Sequence, residues 1–249
     1  VTGNNELGTA AFTATPLSAN CRAVYERREH ALIGLSPGSG YFSTGRIGQL
    51  AQIAATEFER FHFMILAEPF TWNLQAIGHT PTEAAKLGYQ QQRRLINRAN
   101  RALAEAGATD NGNYILQWAD LCDNREYVEI LGNVYESYNA MEDFRVAASG
   151  IAADYVRTRN LQGRRPFAER VSFAVHYFLA ELPLLLDTPH ILGLRSSVFC
   201  YHRTNEFIDK LWTGQLPVAP ADNQGYLVLT LPYPAKSSVA DPEATSPDS

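Results

Sequence analysis

The stretch His30-Ala31-Leu32-Ile33-Gly34-Leu35-Ser36-Pro37-Gly38-Ser39-Gly40-Tyr41-Phe42 decides how the rest of the chain reads. Residues 31–35 are a short apolar run, long enough for one buried strand. The run stops abruptly at Ser36, followed by Pro37, Gly38 and Gly40. Open α/β sheets present their chemistry at the carboxyl ends of strands, where a buried strand gives way to a Gly-rich loop. Ser36 is the first hydroxyl off that strand. The same pattern also fits an ordinary connection in which Ser36 merely caps the next helix, and this stretch alone leaves both readings open.

Outward from it, Ile47, Leu50, Ala51, Ala54, Ala55 and Phe58 recur at helical spacing between Ser43 and Arg60, which implies a helix with one face on a sheet. A second apolar run at 61–67 completes a strand–helix–strand unit, and such a unit implies parallel pairing. Upstream, residues 1–22 read as an irregular lead-in, and 21–29 as a short surface helix. Downstream, Thr80-Pro81-Thr82-Glu83 carries the signature of a helix start, with Thr at the N-cap, Pro at the first position and Glu three residues on. That helix runs to about Glu105 and ends at Gly107. Residues 114–118 form a third strand, and 124–159 hold two or three helices before a Gly-Arg-Arg-Pro break at 163–166. Residues 167–186 form a strongly apolar helix, 197–201 a strand, 205–212 a short helix and 226–231 a last strand. From Pro232 the chain is Pro-, Ser-, Ala- and Asp-rich and reads as a disordered tail over 232–249. The expected fold is α/β, one domain over 23–231 with a mostly parallel sheet flanked by helices.

The 249 residues, 45% hydrophobic and 19% charged, describe an ordinary globular chain. A formal net charge of −5 argues against general affinity for a polyanion, so contact with nucleic acid needs a local patch. Cys21, Cys122 and Cys200 stand far apart, which fits reduced thiols better than a disulfide framework or a zinc site. The six histidines show no metal-ligand spacing, and neither a Walker motif nor a post-strand GxGxxG is present. No metal or cofactor is expected. No apolar run approaches the roughly 18 residues of a membrane span and no signal peptide is visible, so a cytoplasmic location is expected.

Two polar residues stand out in the apolar helix at 167–186. Tyr177 and Glu181 are four apart, hence one turn apart on one face, in a helix apolar nearly all round. A buried carboxylate is costly unless paired or protonated, so Glu181 is either a structural partner of a buried base or a functional acid/base. Pro183 is expected to kink this helix and free carbonyls near Glu181 for a ligand. Tyr201 closes the strand at 197–200, and it shares a crevice with Ser36, Tyr177 and Glu181 if that strand neighbours the first. Alone, a Tyr at a strand end is more often a core-edge residue. On the helix after Thr80, Arg94, Arg98 and Arg101 recur at spacings of four and three, with Arg93 on the flank. Such a stripe is either a solvated face or, on an acidic protein, a site for a phosphate backbone.

These residues carry a resemblance. His30-Ala31-Leu32-Ile33-Gly34-Leu35-Ser36 and Tyr177-Phe178-Leu179-Ala180-Glu181-Leu182-Pro183 match, in order, the two signatures of the cyclodipeptide synthases, which make diketopiperazines from two aminoacyl-tRNAs. The Tyr201 segment and the Tyr127 region are similar too, so the likeness covers roughly residues 22–231. It implies a Rossmann-like core related to the catalytic domain of tyrosyl- and tryptophanyl-tRNA synthetases, without ATP chemistry. It implies Ser36 as the nucleophile, Tyr177 and Glu181 as holders of the α-amino group, Tyr201 in the closing cyclisation and Tyr127 as a supporting tyrosine. Arg93, Arg94, Arg98 and Arg101 fall on the helix that relatives use for tRNA. Leu32, Gly34, Phe199, Met64 and Trp118 fall near the first amino-acid pocket. Independently of the resemblance, backbone N–H groups of the loop Pro37-Gly38-Ser39-Gly40 are expected to steady the tetrahedral oxyanion, because Gly lets the chain approach closely. Phe178 replaces the usual aliphatic residue of the second signature, and Ser39 stands where one large subgroup has Asn. Two aminoacyl-tRNAs are the implied partners, to a monomer or a homodimer.

Two other classes compete. Gly34-Leu35-Ser36-Pro37-Gly38 also fits the G-x-S-x-G elbow of serine hydrolases, with Asp187 and His190 or His202 to complete a triad; that elbow needs a helix directly after the Ser. A non-catalytic tRNA-binding module needs the arginines but not Ser36.

Overall fold

The computed structural model describes residues 12–107, 111–159 and 165–232. Six strands form a single sheet among these residues: β1 (Thr13–Pro16), β2 (His30–Gly34), β3 (Arg60–Ile65), β4 (Ile115–Gln117), β5 (Ser197–Tyr201) and β6 (Gln224–Thr230). Their order is β1-β6-β5-β2-β3-β4, parallel throughout except for the antiparallel β1–β6 pair at one edge. The chain steps from β2 out to β3 and β4, then returns to the other side of β2 with β5. The strand order therefore reverses between β2 and β5, and a crevice opens at the carboxyl ends of such a pair.

Alternation along the strands sends their side chains into two cores. Ala31, Ile33, Phe61, Phe63 and Ile65 pack with α2 (Thr44–Glu57) and α4 (Pro81–Glu105). Leu32, Met64, Phe199 and Tyr226 face the opposite way, against α6 (Arg125–Ala140), α7 (Glu142–Thr158), α8 (Phe167–Leu192) and α9 (Glu206–Trp212). The remaining helices are α1 (Ala19–Glu26), α3 (Ala67–Ala76) and the short α5 (Trp118–Leu121). Helix α4 starts as its sequence requires: the Thr80 hydroxyl accepts from the Glu83 N–H at 3.3 Å and the Glu83 carboxylate accepts from the Thr80 N–H at 2.9 Å.

The structure corrects the sequence reading in four places. Within the lead-in assigned to 1–22, residues 13–16 form β1, because the β6 edge supplies backbone partners from Thr13↔Thr230 to Pro16↔Leu227. Residues 1–11 lie outside the described residues. The expected surface helix is α1, and it buries Cys21, Val24 and Tyr25. Pro232, assigned to the tail, is held: its carbonyl accepts from Arg46 at 2.6 Å, while 233–249 lie outside the described residues, as do Gly163 and Arg164 of the expected break. Finally, α8 is long and apolar enough to cross a membrane by length and composition, against the expectation that no segment is. Most of it is buried inside the fold, as a core helix. Its break falls at Asp187 (φ −156°, ψ 61°) rather than at Pro183, because Asp187 caps a new turn by accepting the His190 N–H at 3.1 Å, and Pro189 has no N–H to continue the old one.

Candidate active site

Strand β2 ends at Gly34, and one more pairing bond, from the Leu35 N–H to the Met64 carbonyl at 2.9 Å, fixes where the chain leaves the sheet. Ser36 then opens a tight turn, with the Ser39 N–H donating back to the Ser36 carbonyl at 3.3 Å. Pro37 sits at the second position and Gly38, with φ +72°, at the third, which is the pattern of a type II turn. Buried Leu35 and Phe42 anchor the two ends of the loop. A Cβ on Gly38 would stand 3.1 Å from the Phe70 ring, and that ring packs edge-on against Tyr177 at 5.8 Å. Gly38→Ala is therefore expected to cost about 1–2 kcal/mol for the left-handed backbone and to lower activity by disturbing Tyr177. Urea unfolding and turnover measured on the same variant check both.

The turn aims Ser36 at two tyrosines. Its Oγ lies 2.8 Å from the Tyr201 hydroxyl, and Tyr177 stands close enough to both Ser36 and Glu181 to interact with each. Three separate elements, the β2 loop, the end of β5 and α8, thus meet in one chain of groups: Tyr201, Ser36, Tyr177, Glu181. Burial pushes the Glu181 carboxyl up to about 7, against the opposing hydrogen bond from Tyr177. Burial and then the Glu181 charge raise Tyr177 well above the phenol range, and burial raises Tyr201 despite its bond to Ser36. Both phenols are therefore neutral donors at pH 7, beside a carboxyl balanced between its two states.

These groups line a cleft of about 830 Å³, with Gly34, Met64 and Phe199 on its inner wall. Glycine at 34 has a steric reason: a Cβ there would lie 3.0 Å from the Phe199 ring and 3.4 Å from that of Tyr201. The outer half runs between α7 and α9 and carries Asp154, Arg159, Arg203 and Lys210. Those charged residues escaped the sequence reading, as did Asn73 of α3, because nothing in their local pattern links α3, α7 and α9 before the fold does.

Other expected site residues stand elsewhere. Tyr127 is fully buried, its hydroxyl donating to the Ala180 carbonyl at 2.8 Å and its ring edge-on to Trp118 at 5.8 Å. Neither is among the residues that line the cleft, and Tyr127 occupies a carbonyl that Pro183 was expected to leave for a ligand. Leu32 is wholly buried in the packing under the sheet. Ser39 supports the loop, its hydroxyl accepting the Tyr41 N–H at 3.3 Å, and its own N–H closes the turn instead of facing an oxyanion. Arg93, Arg94 and Arg101 are exposed on α4. Arg98 is part-buried and donates to the Phe42 carbonyl at 3.4 Å, so it ties α4 to the Ser36 loop.

The hydrolase triad does not assemble. Helix α2 begins at Thr44, well after Ser36, Asp187 serves as a cap for the His190 turn, and His202 stacks on Tyr41 at 4.0 Å. Among the described residues no group of three or more His, Cys, Asp or Glu is placed to hold a metal.

The family model "Cyclodipeptide synthase" matches residues 12–231, nearly the whole of this fold. The chain belongs to the cyclodipeptide synthase family. It is similar to the cyclo(L-leucyl-L-leucyl) synthase of Bacillus subtilis, 28% identical over 88% of this chain and 89% of that protein. It is also similar to the cyclo(L-tyrosyl-L-tyrosyl) synthase of Mycobacterium tuberculosis, 25% identical over 88% and 76%. Among solved structures, a cyclodipeptide synthase from Bacillus thermoamylovorans superposes with a TM-score of 0.81 at 28% identity, over 88% of this chain and 96% of that one. The fold alone extends to tyrosyl-tRNA synthetase from Archaeoglobus fulgidus, with a TM-score of 0.50 at 14% identity over 86% and 59%. The protein is thus an aminoacyl-tRNA-dependent enzyme of diketopiperazine formation on a Rossmann-like fold.

Proposed function

We propose that this cyclodipeptide synthase works by a ping-pong route through an aminoacyl ester on Ser36. The observation that carries it is the Ser36 hydroxyl, 2.8 Å from Tyr201 and beside Tyr177, at the mouth of the cleft that holds Glu181. Ser36 Oγ attacks the ester carbonyl of the first aminoacyl-tRNA, the bond to the ribose oxygen breaks, and the serine proton passes across the phenols to that leaving oxygen. An aminoacyl-tRNA is already an activated ester, so no nucleotide hydrolysis is needed, and the covalent step lets the first tRNA depart.

Tyr177 and Glu181 hold the α-ammonium of the bound residue. A carboxylate beside an ammonium favours both ions, and an acid balanced near pH 7 is suited to take the ammonium's proton before the amine attacks. That amine attacks the ester of the second aminoacyl-tRNA, forming an amide and releasing the second tRNA, so the dipeptide stays on Ser36. The new terminal amine then attacks the seryl ester carbonyl; the ring closes, the C–O bond breaks and Ser36 regains its proton, with Tyr201 as the donor at hand. The cleft has room for two residues, an inner wall for the first and the α7–α9 half for the second. Which two amino acids are joined follows from neither relative, since one is named for leucine and the other for tyrosine at similar identity. Acting on charged tRNA places the chain in the cytoplasm.

The exposed arginines of α4 supply the phosphate contacts. Reversing Arg93, Arg94 and Arg101 to Glu, with Arg98 kept for its bond to the Phe42 carbonyl, is expected to weaken tRNA binding by on the order of 10²-fold at low salt and to flatten its salt dependence, at unchanged thermal stability. Filter binding across a salt series reads this, and an unaltered affinity removes α4 from the interface. Incubation with charged tRNAs and mass spectrometry for cyclic dipeptides, wild type against Ser36→Ala, tests the route as a whole.

A further inference from the structure

Apart from the group of Ser36, Tyr177, Glu181 and Tyr201, the inner wall of the cleft is largely apolar, with one further polar side chain that the proposed route does not use. Beside Gly34, Met64, Phe199 and Ala174 stands Asn73 of α3, only 4% exposed, whose side chain makes no hydrogen bond among the described residues. Buried polar side chains are nearly always paired, and one that faces a cleft instead of a neighbour is placed for what enters it. Phe70 lies against Tyr177 and the Ala76 carbonyl accepts from Arg170 at 3.0 Å, so α3 runs antiparallel to α8. Asn73 therefore sits about level with Ala174, one turn from Tyr177 on the side away from Glu181. The ammonium site is at Tyr177 and Glu181, out of step with this amide.

We infer that Asn73 is a specificity-determining residue for the first amino acid, its amide pairing with an uncharged hydrogen-bonding group at the end of that side chain. This rests on the proposed Ser36 route only for where the first residue sits. An amide offers one acceptor and two donors and no charge, and the inner wall presents no cation and no carboxylate besides Glu181, which the ammonium claims. A charged side chain would find no counter-ion there, and a purely apolar one would leave the amide unpaired.

The test uses one tRNA body charged in turn with tyrosine and phenylalanine, and with glutamine and methionine, so that only the side chain changes. Both the acyl mass on the enzyme and the cyclic products are read in competition. Wild type is expected to favour the polar member of a pair by about tenfold. Asn73→Leu is expected to abolish or invert that preference, and the isosteric Asn73→Asp to keep the fold while changing the ranking. Equal use of both members by wild type, a ranking unmoved in both variants, or an equal fall for all four substrates overturns the assignment. Products that shift with residue 73 while no adduct forms on Ser36 would instead sink the Ser36 route and leave Asn73 standing.

Discussion

Ser36→Ala is expected to lose at least about 10³-fold in cyclic dipeptide formation while binding charged tRNA normally and unfolding at the same temperature. The removed atom is the one that accepts the acyl group, and deleting a nucleophile leaves only positioning and polarisation behind. Ser36 caps no helix; the N-cap of α2 is Ser43, whose hydroxyl accepts the Arg46 N–H at 3.3 Å. The ordinary-loop reading, in which Ser36 only caps, would cost stability and spare turnover, so the two readings move in opposite directions. Tyr201→Phe offers the matched control, since it removes the 2.8 Å partner of Ser36 and keeps the nucleophile.

Glu181→Gln is expected to lower product yield by on the order of 10²–10⁴-fold without loss of stability. The side chain keeps its size and can still bond Tyr177, but it no longer takes a proton or pairs with an ammonium. Its pH signature separates it from a structural role. Folding raises the Glu181 pKa from an ordinary 4.5 to about 7, so the native chain holds a proton over that interval after the unfolded chain has released it. Stability from this group is therefore fully present below about pH 4.5 and is lost as pH rises toward 7. Glu181→Gln should flatten the stability profile across that window, as read by thermal melts from pH 4.5 to 7.5. A variant that fails to fold, or a profile as steep as that of wild type, would show that Glu181 is not the buried acid described.

What could be read from sequence depended on how local its cause was. The start of α4 was legible because Thr80, Pro81 and Glu83 meet their own backbone within one turn. The carboxyl end of β2 was legible because an apolar run and a Gly-rich loop adjoin. Glu181 stood out because a carboxyl in an apolar helix has so few explanations. β1 was not legible: it is an edge strand with only Ala14 buried, and its partner β6 begins more than two hundred residues later. The break in α8 was misplaced because Pro183 and Pro189 look alike in sequence, and only Asp187's cap decides between them. Tyr127, expected as a supporting tyrosine, reaches the site only through the Ala180 carbonyl next to Glu181, a contact that no local pattern reveals. Asn73 and the charged rim of α7 and α9 belong to the cleft solely through tertiary packing.

The most direct measurement is the intact mass of the enzyme mixed briefly with one aminoacyl-tRNA, followed by peptide mapping. The expected result is a gain of one aminoacyl residue (the amino acid less water), labile to hydroxylamine, on the peptide containing Ser36, and absent from Ser36→Ala. An unchanged mass during active turnover, or an adduct on any other residue, contradicts the acyl-serine account.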